Sequence, residues 1–126
     1  MNAEKYFDKL NKLNELIISS KLEIDYLEQL CKISDNDEIK IKIEQTEDLI
    51  CNEMNKYIEL LRNVRNIINR IEDVDEKLVL KYRYILHYSL MQTAEKMGFS
   101  NRQIGRIHAS ALKNANRLLK DSVANG

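Results

Sequence analysis

The chain contains no proline and no tryptophan, and only three of its 126 residues are glycine. Scarce helix breakers and a charged content of 32% favour a mostly helical protein. The longest stretch without a charged residue, Tyr84 to Ala94, has eleven residues, whereas a membrane-spanning helix needs roughly 20. The first residues, MNAEKYFDKL, contain no apolar signal core. We therefore expect a cytoplasmic protein with no membrane attachment.

Cysteine is also scarce, with Cys31 and Cys51 as its two occurrences. If the helices around them form an antiparallel hairpin that turns near residues 34–36, Cys51 lies roughly 20 Å along the axis from the position facing Cys31. A disulfide cannot bridge that separation. We expect two buried, reduced thiols.

The charges are divided unevenly along a chain whose formal net charge is zero. Residues 1–74 carry 11 Lys and Arg against 16 Asp and Glu, and residues 75–126 carry nine against four. Six bases and no acid lie between Lys96 and Lys120. This asymmetry indicates that the C-terminal part meets a polyanion.

Residues 3–73 show the apolar spacing of two long helices joined by the polar turn SDND at 34–37. The seam of the first helix, at steps of mostly three and four, comprises Tyr6, Leu10, Leu13, Ile17, Ile24, Leu27 and Cys31. The second seam comprises Ile39, Ile43, Ile50, Met54, Tyr57, Leu61, Val64, Ile68 and Ile71, widened by Leu60 and Ile67. We predict a coiled-coil-like helical hairpin as a first domain, residues 1–74. It serves oligomerisation or packs on the rest of the chain.

A helix-turn-helix module is predicted for residues 75–120, with residues 121–126 as a frayed tail. Its first helix begins after a cap at Asp75 and buries one apolar face, which comprises Leu78, Val79, Tyr82, Ile85 and Leu86. A short helix follows from Leu90 to Met97, and the last helix runs from Asn101 to about Lys120. The fold class is therefore all-α.

The corner between the last two helices has the residues that a DNA-binding helix-turn-helix requires. Gly98 tolerates positive φ, and the small Ala94 allows close approach of the helices. Ser100 is three residues before Gln103, which is a capping-box pattern. The predicted turn and core positions are Ala94, Met97, Gly98, Phe99, Ser100, Ile104 and Ile107.

The outer face of the last helix is basic and is predicted to enter the major groove. Its N-terminal residues Asn101, Arg102 and Arg106 are the candidates for reading bases, because Arg pairs with guanine and Asn with adenine. The candidates for phosphate contact are Ser89, Lys96, Ser110, Lys113 and Arg117. Gly105, in mid-helix, allows close approach either of nucleic acid or of a neighbouring helix.

Residues 79–119 resemble region 4 of the sigma-70 family. The matching landmarks are Leu80, Arg83-Tyr84, Ala94-Glu95, the MGFS of 97–100 and Ala111-Leu112. The RIHASAL segment is similar to RinA- and ArpU-type late-transcription activators of phages and prophages of Gram-positive bacteria. The family often has glycine at the position of His87 and an aliphatic residue at Thr93. The resemblance implies promoter binding and contact with RNA polymerase.

Other functional classes have less support in the sequence. His87 and His108 have no Cys or carboxylate at ligand or triad spacing, so we expect no catalytic residue, metal, cofactor or small-molecule substrate. A phage terminase small subunit and a protein-binding adaptor remain alternatives, since both can combine a helical corner with long helices. We expect double-stranded DNA as the ligand and a homodimer, because half-site symmetry commonly supplies specificity.

Overall fold

The computed structural model describes residues 2–125, with side chains for residues 2–121. Over residues 2–125 the chain forms helices joined by short loops and has no strand, so the predicted all-α class is confirmed. The elements are α1 (Ala3–Ile33), α2 (Asp37–Asn69), α3 (Val74–Leu80), a π-helical turn (Lys81–Ile85), α4 (Leu90–Met97) and α5 (Asn101–Asn125). No helix in this range is both long enough and apolar enough to cross a membrane.

Polar side chains fix where the second and third helices begin. Asn36 Oδ1 accepts a hydrogen bond of 2.8 Å from the backbone N–H of Glu38 and thereby caps α2. The predicted cap of α3 at Asp75 is wrong, because the carboxylate of Asp73 accepts the bond from the Glu76 N–H. Ile71 is buried, and the chain turns into α3 directly after it.

The chain divides into two compact units that do not coincide with the predicted boundary at residue 74. The major unit contains the described residues of Met1–Asn11 and Leu61–Gly126, and the minor unit is Lys12–Leu60. The first turns of α1 and the end of α2 thus belong to the same unit as α3, α4 and α5. The predicted hairpin of residues 3–73 is therefore divided between the two units.

The core of the major unit includes the N-terminal turns of α1, whose contribution the sequence pattern only partly indicated. Ala3 and Phe7 are fully buried beside the predicted Leu10. The Phe7 ring lies 5.0 Å from that of Tyr84, and the Ala3 N–H donates to Asn116 Oδ1 on α5. These contacts attach the start of the chain to its last helix.

The π-helical turn changes the register of the apolar face predicted for the third helix. Val79, Leu80 and Tyr84 are the buried side chains, whereas the predicted core positions Leu78 and Leu86 are exposed. A π-helical turn holds one more residue than an α-helical turn, so Leu86, which follows it, is rotated relative to a 3.6-residue pattern, whereas Leu78 is exposed on the regular helix before it. The segment ends at His87, whose φ of +61° is left-handed, at the position where the resembled family often has glycine.

The minor unit buries very little. Within residues 12–60, Ile24 and Thr46 are the buried residues, and Met54 of the predicted seam is exposed. Both cysteines are free, but the expectation of two buried thiols is wrong, since Cys51 is exposed and Cys31 is half-buried. Thr46 satisfies its hydroxyl by donating to the Lys42 carbonyl one turn earlier, at 2.8 Å.

The last helix is longer than predicted. α5 continues through Asn125, so the expected frayed tail is helical over residues 121–125. Gly126, the last residue of that predicted tail, lies outside the described residues. Nothing in DSVAN breaks a helix, since the segment contains neither glycine nor proline.

Candidate nucleic-acid interface

The corner between α4 and α5 is built around a left-handed glycine. Gly98 has φ +72° and ψ +28°, and its N–H bonds back to carbonyls of the last turn of α4. The Phe99 N–H donates to the Ala94 carbonyl at 2.9 Å, which closes the helix end in the manner of a Schellman motif. The backbone therefore changes direction at the residue that tolerates this conformation best.

Both helices of the corner begin with a reciprocal capping box. At α4, the Ser89 hydroxyl accepts from the Gln92 N–H at 3.0 Å, while the Gln92 side chain accepts from the Ser89 N–H at 2.8 Å. Ser100 and Gln103 make the same pair at α5, at 3.1 and 2.9 Å. Because these bonds satisfy N–H groups that a helix start leaves unpaired, the bounds of both helices are fixed locally.

An apolar cluster holds the two helices at their angle. Val79 of α3, Ala94 of α4 and Ile104 of α5 are buried together. The half-buried side chains around them are Leu90, Met97, Phe99 and Ile107. The structure thus brings the predicted positions Ala94, Met97, Phe99, Ile104 and Ile107 into one cluster, with Gly98 and Ser100 at its rim.

The outer face of α5 carries a basic ridge, which we define as Arg102, Arg106 and Lys113. All three side chains are exposed, and their spacing of four and seven residues places them on one face, opposite the buried Ile104 and Ala111. Within the described side chains, none of the three makes an ion pair. Asn101 is also exposed, in the first turn of α5.

Acidic side chains lie beside one edge of this ridge. Asp73, Asp75 and Glu76 line a shallow groove together with side chains of α5, which are Gln103, Arg106, Ile107 and Ser110. The Glu76 carboxylate accepts from Asn114 Nδ2 at 2.6 Å and from the Ser110 hydroxyl at 3.4 Å. Because a carboxylate repels a phosphate, Ser110 is a poor phosphate ligand in this arrangement.

The other predicted phosphate contacts differ in their surroundings. Lys113 is exposed, and so is Arg117, which borders a second groove with Glu72 and Asp73. Lys96 is exposed in the last turn of α4, beside Tyr88 and Gln92. The Ser89 oxygen is occupied as an acceptor by its capping bond, but its O–H remains a potential donor.

Gly105 has open space where a side chain would begin. A Cβ built at this position would meet no atom within 4 Å. Among the described residues, no neighbouring helix therefore packs closely against Gly105.

Tyr84 and His108 form a largely buried polar pair that connects the π-helical turn to α5. Tyr84 Oη and His108 Nε2 are 2.8 Å apart, and their rings stack at 5.9 Å between centres. Burial raises the pKa of Tyr84 to about 12 and lowers the pKa of His108, the latter with a further contribution from the Arg83 charge. Both groups are thus neutral near pH 7, which suits a structural hydrogen bond.

Arg83 fixes the loop that leads from the π-helical turn into α4. Its Nη1 donates to the Tyr88 carbonyl at 2.8 Å. The Tyr82 and Tyr88 rings stack nearby with centres 5.7 Å apart, and His87 Nδ1 lies 2.6 Å from Asn11 Oδ1 of α1. Sequence reasoning missed these contacts for two reasons. Asn11 lies on another helix, whereas Tyr88 is only five residues from Arg83 but lies beyond the π-helical turn, which a 3.6-residue pattern does not predict.

Comparison with known proteins adds no relative to this picture. No family model, curated protein or solved structure matches the chain. Among the described side chains, no three His, Cys, Asp or Glu residues are grouped as metal ligands would be. The corner and the charges around it are therefore the features that bear on function.

Proposed function

We propose that this protein binds double-stranded DNA sequence-specifically through α4 and α5 and regulates transcription of a phage or mobile element. The observation that carries the proposal is the basic ridge, which follows directly after a left-handed corner with capping boxes on both sides. In DNA-binding proteins with such corners, the second helix enters the major groove by its N-terminal half. The proposed role is binding, with no chemistry of its own.

The resemblance of residues 79–119 to sigma-70 region 4 adds a biological context to the proposal. It points to promoter DNA as the target and to RNA polymerase as a second contact. His87 departs from this resemblance, although its φ of +61° lies in the left-handed region that glycine adopts most readily. A homodimer completes the proposal, since paired half-sites double the number of base contacts.

Substitution of the basic ridge tests the proposal. A binding sequence is first selected from a random duplex library, and affinity is then compared between that duplex and a scrambled one. Arg102→Ala and Arg106→Ala should each remove about 1–3 kcal/mol of discrimination, because each arginine is assigned a bidentate contact with a base. Lys113→Ala should weaken binding to both duplexes equally and reduce the slope of log affinity against log salt by about one.

Arg62→Ala is the matched control, because Arg62 is an exposed cation of the major unit outside α5. It should leave both affinities unchanged. If all three ridge variants retain the wild-type affinity for the selected duplex, the ridge is not the DNA-binding face. A wild-type protein with no salt-dependent affinity for any duplex would favour the adaptor alternative instead.

A further inference from the structure

α1 carries a second apolar face that its own chain leaves uncovered. Ile18, Leu22, Tyr26 and Ile33, which we name the outer stripe, remain 52%, 63%, 60% and 83% exposed. Their spacing of four, four and seven residues places them on one side of the helix. The predicted seam residues Ile17, Ile24 and Cys31 lie on the opposite side and are half-buried or buried.

A helix with apolar residues on two opposite faces is suited to packing on both sides. In the outer stripe, large side chains occupy positions where a solvent-exposed helix normally has charges. The stripe is about 22 Å long, at 1.5 Å per residue. We propose that a second copy of this chain covers it, with the two α1 helices antiparallel about a two-fold axis near residue 24.

The exposed area is sufficient for such a pair. The four side chains present on the order of 500 Å² of surface per copy, so two copies bury about 1,000 Å² before any flanking residue is counted. With all four side chains fully covered, that total is close to the roughly 1,000 Å² that a specific interface should exceed, and flanking residues add to it. With the axis near residue 24, Leu22 of one copy meets Tyr26 of the other, so the centre of the stripe is complementary to itself.

The charges at the two ends of the stripe favour the antiparallel direction. Glu15 precedes the stripe, Lys32 adjoins its other end, and both are exposed. They lie at nearly equal distances from residue 24, so each Glu15 faces Lys32 of the other copy in the antiparallel pair. Neither residue makes an ion pair within the described side chains. Because they are 17 residues apart on one helix, about 25 Å, they cannot pair within one chain.

Replacing the central side chains of the outer stripe by serine tests whether the stripe is the interface. Sedimentation equilibrium of the full chain without DNA, over roughly 1–200 μM, should show a monomer–dimer equilibrium. The double variant Leu22→Ser/Tyr26→Ser should raise the dimer Kd about a hundredfold, because it removes the central contacts. Leu49→Ser, which alters an exposed apolar residue of α2, is the control and should leave the Kd unchanged.

Exchange of the end charges tests the direction of pairing. Glu15→Lys and Lys32→Glu should each weaken dimerisation roughly tenfold, because two attractive contacts become repulsive. The double variant Glu15→Lys/Lys32→Glu should recover the wild-type Kd, and an equimolar mixture of the two single variants should form a heterodimer. In a parallel pair the single substitutions would leave the Kd unchanged, since like residues would already face each other.

A wild-type chain that is monomeric throughout the range, or that forms rings larger than a dimer, overturns the inference. So does a dimer that the Leu22→Ser/Tyr26→Ser variant retains. The inference deepens the homodimer of the proposed function, but its test involves no DNA. A dimer without DNA affinity would refute only the proposed function, and a monomer that binds DNA specifically would refute only the interface.

Discussion

At the scale of single residues, the hydrogen bond between Tyr84 and His108 shows how two polar side chains can pack in the core. Tyr84 is almost fully buried, contacts the Phe7 ring and reaches His108 on α5 at 2.8 Å. His108 thereby obtains a hydrogen-bond partner on a different element of the fold. No local motif connects the two residues, which are 24 positions apart in the chain.

Stability should depend on the protonation of His108. Its pKa is lowered in the folded state by burial and by Arg83, so protonation favours the unfolded chain. Wild-type stability should fall as the pH drops below about 6.5, the ordinary value for histidine, and this loss should end below the lowered folded pKa. The His108→Gln variant has no imidazole to titrate, so its stability should lack this pH-dependent contribution.

The measurement is thermal unfolding of both proteins between about pH 5 and 8. The difference in Tm between wild type and His108→Gln should be constant above pH 7.5 and shift in favour of the variant at lower pH. A difference that stays constant down to pH 5 would show that His108 does not titrate with unfolding.

At the scale of elements, the helix–corner–helix could be predicted in detail because its signals are local. The bounds Leu90–Met97, the left-handed Gly98 and the capping box at Ser100 all follow from residues within four positions of each other. The start of α3 could not be predicted from the sequence, because both Asp73 and Asp75 can cap a helix. The contribution of Phe7 was missed for a different reason, since its contacts lie more than seventy residues away along the chain.

Substitution by alanine should change the free energy of unfolding in opposite directions at Gly98 and Gly105. Gly98→Ala should lower the free energy of unfolding by about 1–2 kcal/mol, because φ +72° is unfavourable for a residue with a Cβ. Gly105→Ala should raise it by up to about 1 kcal/mol, since Gly105 is helical and has open space at its Cβ. Chemical denaturation of both variants measures the two effects.

The DNA affinity of the Gly105→Ala variant distinguishes a structural role of this glycine from a role in binding. If nucleic acid approaches the backbone there, Gly105→Ala should weaken binding although it stabilises the fold. A variant that is more stable and binds the selected duplex as tightly as wild type would show that the glycine serves no interface.

At the scale of the whole molecule, buried apolar residues are concentrated in one unit. Among the described residues, Ile24 is the single buried apolar side chain of the minor unit, whereas the core of the major unit draws on all five helices. Nine of the large exposed apolar residues belong to the minor unit, and they are Leu16, Ile18, Leu22, Tyr26, Ile33, Ile41, Leu49, Met54 and Ile58. The helices of the minor unit could be predicted from the spacing of apolar residues, but which of their faces stay exposed is seen only in the structure.

Hydrogen exchange should reveal this difference in burial. Amides of residues 12–60 should exchange faster than those of α3 and of the buried part of α5, because few tertiary contacts oppose local opening. Raising the protein concentration should slow exchange selectively in residues 15–33, where the second copy is proposed to pack. Uniform protection along the chain, independent of concentration, would contradict both expectations.

The attachment of Ala3 and Phe7 to the far end of the chain has a consequence for biosynthesis. The partners of these residues, Asn116 and Tyr84, are synthesised 113 residues after Ala3 and 77 residues after Phe7. Phe7 and Leu10 therefore stay unprotected during synthesis until α5 is available. Folding of the major unit cannot be completed before residue 116 has been added to the growing chain.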